Sequence, residues 1–147
     1  MIFLEDLAPG QRFSAGPVEV TVEAIKRFAA EYDPQPFHLD EAVAAEHPVF
    51  GGLAASGWHT AAMAMRMTVQ ALGHFGWGVV GGGGDLQWVR PVRPGDTLRL
   101  VAEVQEIAPS KSKPDRGSVL VRNAVLNQRD EEVQVFTVRL LVPRKPA

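Results

Sequence analysis

The hydrophobic period of this chain changes once, at the four glycines 81–84. Before them, apolar residues recur at helical spacing. Thr21 can serve as an N-cap, and Val22, Ile25, Phe28, Ala29 and Tyr32 follow on one stripe. That helix must end at Tyr32–Asp33, because Pro34 and Pro36 remove donors and push the residues before them into extended conformations. Asp40 can cap a short second helix through Glu46. After the break at Gly51-Gly52, residues 54–75 form a long apolar segment with Trp58, Ala62, Met65, Val69 and Leu72 on one face. Nearly every position in it is apolar or small, which predicts a helix buried on most sides.

After the glycines the period is two. Leu98, Leu100, Ala102 and Val104 alternate with more polar neighbours, and residues 119–126 and 133–138 alternate in the same way. Residues 86–92 read as a further strand, and residues 81–84 as a bend entering it. Pro94-Gly95-Asp96 and residues 109–117 and 128–132 supply turns. Helices first and antiparallel strands afterwards predict an α+β unit in which a sheet wraps one long helix. No repeat and no second domain is visible, so residues 1–147 are expected to form one domain, with Arg144-Lys145-Pro146-Ala147 as a frayed tail.

Charge narrows the partners. With 15 basic and 17 acidic residues, the net charge of −2 gives no reason to expect nucleic acid or an anionic membrane. The absence of cysteine excludes disulfides, thiolate nucleophiles and Cys-based metal sites. The start, Met1-Ile2-Phe3-Leu4-Glu5-Asp6, has neither the basic residues nor the apolar run of a signal peptide, and the charge-free stretches do not read as membrane spans. A cytoplasmic location is the default expectation.

The segment Tyr32-Asp33-Pro34-Gln35-Pro36-Phe37-His38 is the most informative for chemistry. Two prolines stiffen a loop between helices, which holds a carboxylate and an imidazole in a fixed relation at little entropic cost. Such a pair suits acid–base work near neutral pH. A pair carried on a loop is expected to contribute little to core packing. The spacing Asp-x-x-x-x-His is weak evidence by itself. The segment Phe50-Gly51-Gly52-Leu53-Ala54-Ala55-Ser56-Gly57 adds to it by leading into the long helix. N–H groups at a helix start lack intrahelical partners and carry partial positive charge. Gly57, without a side chain, lets a carbonyl approach its N–H, the form an oxyanion hole takes.

Other candidates carry less. His47 and His74 read as structural and His59 as a satisfied core histidine. No His/carboxylate set has metal-ligand spacing. The glycines 81–84 lack the Lys-Ser/Thr of a phosphate loop.

In order, Asp33, Pro36, His38, Asp40, Phe50-Gly51-Gly52 and Ser56-Gly57 resemble the MaoC-like dehydratases, or (R)-specific enoyl-CoA hydratases, of the hot-dog fold. Arg90-Pro91-Val92-Arg93-Pro94-Gly95-Asp96 and residues 110–117 extend the resemblance along the chain. It implies interconversion of a trans-2-enoyl thioester and a (3R)-3-hydroxyacyl thioester, with no cofactor beyond the coenzyme A of the substrate. Asp33, His38 and the Gly57 N–H are the expected catalytic groups, with the division of acid and base roles left open. Ser56, Gln35, Phe37, Gly52 and Trp58 are the expected substrate contacts. Arg90, Arg93, Lys111, Lys113 and Arg116 are candidates for the coenzyme A phosphates. A homodimer, or a dimer of dimers, is implied as well. Two features depart from the family pattern: Gln35 stands where Asn is usual, and Trp58-His59-Thr60 is bulkier than the common small residues. A hot-dog thioesterase is the rival reading. It usually takes a carboxylate from the central helix, and residues 53–76 hold no Asp or Glu. A non-catalytic acyl-binding subunit is the other rival.

Overall fold

The computed structural model describes residues 1–146. Thr21 accepts the Ala24 N–H at 3.1 Å, a cap that contributes about 1 kcal/mol to helix α1 (Val22–Tyr32). Asp33 ends it outside the helical region, at φ −151° and ψ 69°, in keeping with the proline that follows. The expected loop is shorter than the sequence suggests. Pro36 opens a one-turn helix, α2 (Pro36–Leu39), because proline at the first helical position gives up only a donor the helix does not use. Asp40 then accepts the N–H groups of Ala42 and Val43 and caps α3 (Glu41–Ala45).

The long helix α4 spans Gly57–Leu72, shorter than the expected 54–75. Ala54 and Ala55 lie outside the helix instead, with the Ala55 N–H donated to Val92 O at 2.9 Å. Ser56 becomes the N-cap and accepts the Trp58 N–H at 3.2 Å. The expected burial of α4 is also corrected. His59, Thr60, Ala64, Met67, Thr68 and Leu72 are buried. Trp58, Met65 and Val69, placed by sequence on the apolar face, are about half exposed. One side of an apolar helix is therefore open in the single chain.

Five strands, β1 (Arg12–Glu19), β2 (Gly81–Trp88), β3 (Thr97–Pro109), β4 (Arg116–Leu126) and β5 (Glu132–Pro143), form one antiparallel sheet in the order β1-β3-β4-β5-β2. The alternation in β3 points Leu98, Leu100, Ala102 and Val104 inward, each at most 1% exposed. They pack with Ile25 of α1 and with Met67 and Leu72 of α4. Burying each large side chain contributes about 1.5–3 kcal/mol. A sheet wrapped on one long helix is the hot-dog arrangement, and the class is α+β as expected.

The sequence does not reveal β1, because Gly16-Pro17 reads as a turn. On an edge strand the pair is instead absorbed as an irregularity between Ala15 and Val18. The expected strand at 86–92 is displaced. The glycines 81–84 belong to β2, where a Cβ on Gly84 would collide with Thr137 O. The strand stops at Trp88, before Pro91, which has no N–H to pair. The tail is held at Arg144 and Lys145 and is not frayed there: Arg144 pairs with Glu5 at 2.7 Å and Lys145 with Asp6 at 2.5 Å. Ala147 lies outside the described residues. Among the described residues no helix is long and apolar enough to cross a membrane.

Candidate active site

The turn between α1 and α2 meets the start of α4. Asp33 Oδ2 lies 3.4 Å from His38 Nε2. The other ring nitrogen, Nδ1, is 2.7 Å from Ala54 O. A carbonyl can only accept, so Nδ1 carries a proton and Nε2 is the nitrogen left for exchange. Phe37 and Phe50 stack at 5.1 Å and wall the imidazole, which is 4% exposed. His38 is therefore a core residue as well as a chemical one, contrary to the expectation for a loop pair.

Asp33 Oδ1 accepts the Gln35 side-chain N–H at 2.6 Å. Burial pushes this carboxyl up. Hydrogen bonds from the Ser56 hydroxyl and the Gln35 amide, with the charge of His38, outweigh that and hold it below the ordinary carboxylate value. Asp33 is thus ionised at neutral pH. Gln35 fills the place of the usual Asn and still reaches the carboxylate.

His38 shares a cleft of about 320 Å³ with Gly57, Thr60, Trp88 and Arg90. As the first residue of α4, Gly57 has no intrahelical acceptor for its N–H. The imidazole and the helix-start N–H line one cleft, and the Asp33 carboxylate stands behind the imidazole at 3.4 Å; such a set can exchange protons with a substrate and stabilise a developing oxyanion.

Residues 6–127 match the family model described as "MaoC like domain". The chain belongs to the MaoC-like domain family. Over its whole length this MaoC-like chain is similar to a MaoC-like dehydratase from Rhodospirillum rubrum, with 50% identity, full coverage of both chains and a TM-score of 0.95. It is also similar to the R-hydratase PhaJ1 from Pseudomonas aeruginosa, at 26% identity and a TM-score of 0.74, covering 98% of this chain and 87% of that one. The uncharacterized protein YdeM of Bacillus subtilis (strain 168) is 32% identical over 141 residues, 95% of this chain and 96% of its own.

The other sequence candidates divide. Gln35 hydrogen-bonds the Asp33 carboxylate, the nearby Ser56 hydroxyl helps hold that carboxyl's pKa down, and Phe37 walls His38. Trp58 borders a second cavity rather than the cleft. Gly52 does not line the cleft; it sits at positive φ in a turn and its carbonyl accepts Arg93 Nη1 at 2.8 Å. Of the five basic candidates only Arg90 lines the cleft. Arg93 donates to the carbonyls of Phe50, Gly52 and Leu53, so it clamps the loop before α4 instead of lining the cleft. Lys111, Lys113 and Arg116 lie on the β3–β4 hairpin, at the opposite end of the sheet from Thr97 and the cleft. Arg116 is paired with Asp115 there and stacks 4.7 Å over Trp77.

His47 is structural as expected, its Nδ1 accepting the N–H groups of Val49 and Phe50. His59 stacks on Phe28 at 4.8 Å, but its buried Nδ1 has no partner, so it is not the satisfied histidine expected. Burial first, and Arg27 second, hold its pKa below the ordinary histidine value.

Sequence reasoning missed Trp88. Its ring lies against Gly57, and its Nε1 donates to Gln134 Oε1 at 3.1 Å. Gln134 lines the second cavity, of about 440 Å³, which is bounded mainly by Met65, Leu86, Phe136 and Val138. A T-shaped contact between Trp88 and Trp58, at 5.0 Å, stands between the two spaces. No local sequence signal marks a tryptophan at the end of a strand for this position.

Proposed function

We propose that this MaoC-like protein interconverts a trans-2-enoyl-CoA and a (3R)-3-hydroxyacyl-CoA. The observation that carries the reading is the Asp33–His38 pair at 3.4 Å beside the unpartnered Gly57 N–H. The Rhodospirillum rubrum dehydratase and the Pseudomonas aeruginosa R-hydratase support the reaction class.

In hydration, the thioester carbonyl accepts the Gly57 N–H, which draws electrons from the C2–C3 double bond. One water bridges Asp33 Oδ2 and His38 Nε2. Asp33 takes a proton from it as its oxygen bonds to C3, and His38, protonated at Nε2, delivers a proton to C2. Asp33 then passes its proton to the adjacent Nε2, which restores both groups. General acid–base help contributes about 10²–10⁴ in rate, and an oxyanion donor about 10²–10³. The acyl chain extends past the Trp58–Trp88 contact into the apolar cavity, while Arg90 at the rim meets the coenzyme A phosphates. No cofactor takes part in these steps.

The working unit of this reading is a homodimer. The half-exposed Trp58, Met65 and Val69 of α4 lie in the same molecule as the unpaired outer edge of β2, and both are normally covered. Light scattering should give a dimer or a multiple of it; an active monomer contradicts this. Hydration of a trans-2-enoyl-CoA panel, followed by loss of the enoyl absorbance, tests the activity. No turnover at any chain length overturns it.

A further inference from the structure

The cleft at His38 and the apolar cavity share no lining residue, and one side chain stands at their boundary. Trp88 lines the cleft, while Trp58 and Gln134 line the cavity. The indole touches both of them. It meets Trp58 in a T-shaped contact at 5.0 Å, and its Nε1 donates to Gln134 Oε1 at 3.1 Å. Trp88 is the last residue of β2 and lies directly opposite Gln134 on β5, so the pairing points both side chains to the same face of the sheet. Gln134 is 2% exposed, and an indole N–H only donates, so the amide must turn its oxygen to the ring. A third restraint is Gly57, whose missing side chain leaves the space that the indole fills. The ring is thus seated by Gly57, Trp58 and Gln134, with the chemical groups on one side and the cavity on the other.

We propose that Trp88, latched by Gln134, determines acyl specificity: short acyl groups that end before the indole are preferred, and a longer chain enters the cavity only by displacing the ring. Displacement breaks the Trp88–Gln134 bond and leaves a buried amide oxygen without its donor. It also lifts the ring from Gly57, the residue whose N–H is assigned to the thioester carbonyl. A chain too short to reach the ring disturbs neither. Trp88 meets the substrate directly, and Gln134 acts through it as a positioning residue. This inference rests on the hydratase reading above, with the thioester at Gly57.

The test uses trans-2-enoyl-CoAs of four, six, eight, ten and twelve carbons for hydration, and the matching saturated acyl-CoAs for calorimetry. In the wild type, kcat/KM should fall about 10-fold or more from butenoyl-CoA to the members that reach the indole. Within Trp88→Ala the ratio of long-chain to butenoyl kcat/KM should rise until the fall is gone. Gln134→Leu keeps the ring without the latch and should raise that ratio about 2- to 10-fold, the scale of one neutral hydrogen bond. Where Gln134→Leu does not fold, Trp88→Phe, a ring without the N–H, is read in the same way. A Gln134 that served packing alone would lower the melting temperature and leave the ratio unmoved, which overturns its role. A level wild-type profile, or a fall that persists in Trp88→Ala, overturns the proposal while leaving the hydratase reading intact. If the wild type hydrates no member, the hydratase reading fails, and the affinities decide the gate. A loss of affinity with length that Trp88→Ala relieves then upholds it, and affinities that Trp88→Ala leaves in the same order overturn it.

Discussion

The indole of Trp88 occupies the space that a side chain on Gly57 would need, with ring carbons 2.6–2.9 Å from an ideal Cβ position. Glycine at the start of α4 therefore serves close packing as well as access to its N–H. Gly57→Ala is expected to drive the indole away at a cost of about 1–3 kcal/mol. Trp88→Ala in the same chain should restore most of that stability. Thermal unfolding of the single and double variants checks this; full stability of Gly57→Ala alone contradicts it.

Asp33 and His38 should separate when rate and stability are measured together. Asp33→Asn keeps the shape of a partly exposed side chain, so its melting temperature should stay near wild type while turnover falls about 10²–10⁴. His38→Ala removes a buried ring and its bond to Ala54 O. It should lose turnover and also about 2–4 kcal/mol of stability, from the cavity and the orphaned carbonyl. Near-wild-type turnover in folded Asp33→Asn would remove that carboxylate from the mechanism.

Arg90 and Arg93 are three residues apart and should behave differently. Arg90→Ala is expected to raise KM severalfold with kcat held, as for an interaction made equally in ground and transition states. Arg93→Met should lower kcat and the melting temperature together, because it frees the loop that positions Ser56 and Gly57. Steady-state kinetics on both variants decide it, and a KM effect confined to Arg93 would reverse the assignments.

Sequence pattern served best where one face alone decides the structure. Leu98, Leu100, Ala102 and Val104 alternate because β3 has one buried face, and that is readable locally. It failed where a neighbour decides. Gly16-Pro17 is a turn signal unless the strand lies on a sheet edge, and the apolar face of α4 is open because exposure depends on what lies beyond this chain. Asp33 and His38 were legible only together with Ser56-Gly57. The Ala54 carbonyl that orients His38, the Arg93 clamp and the Trp88 ring join residues 16, 40 to 43 and 31 positions apart. No periodicity connects them.

The pairing of Asp33 and His38 on one short turn allows approach to a planar enoyl group from a single face. Hydroxyl and proton should then add to the same side, and the reading proposed here sets the hand at C3 as R. Hydration of trans-2-butenoyl-CoA in deuterated water, with the configuration at C2 and C3 read by NMR, is the most direct test. A (3R)-3-hydroxybutanoyl product with deuterium added syn at C2 is the expected result. A (3S) product, anti addition or no hydration would contradict it.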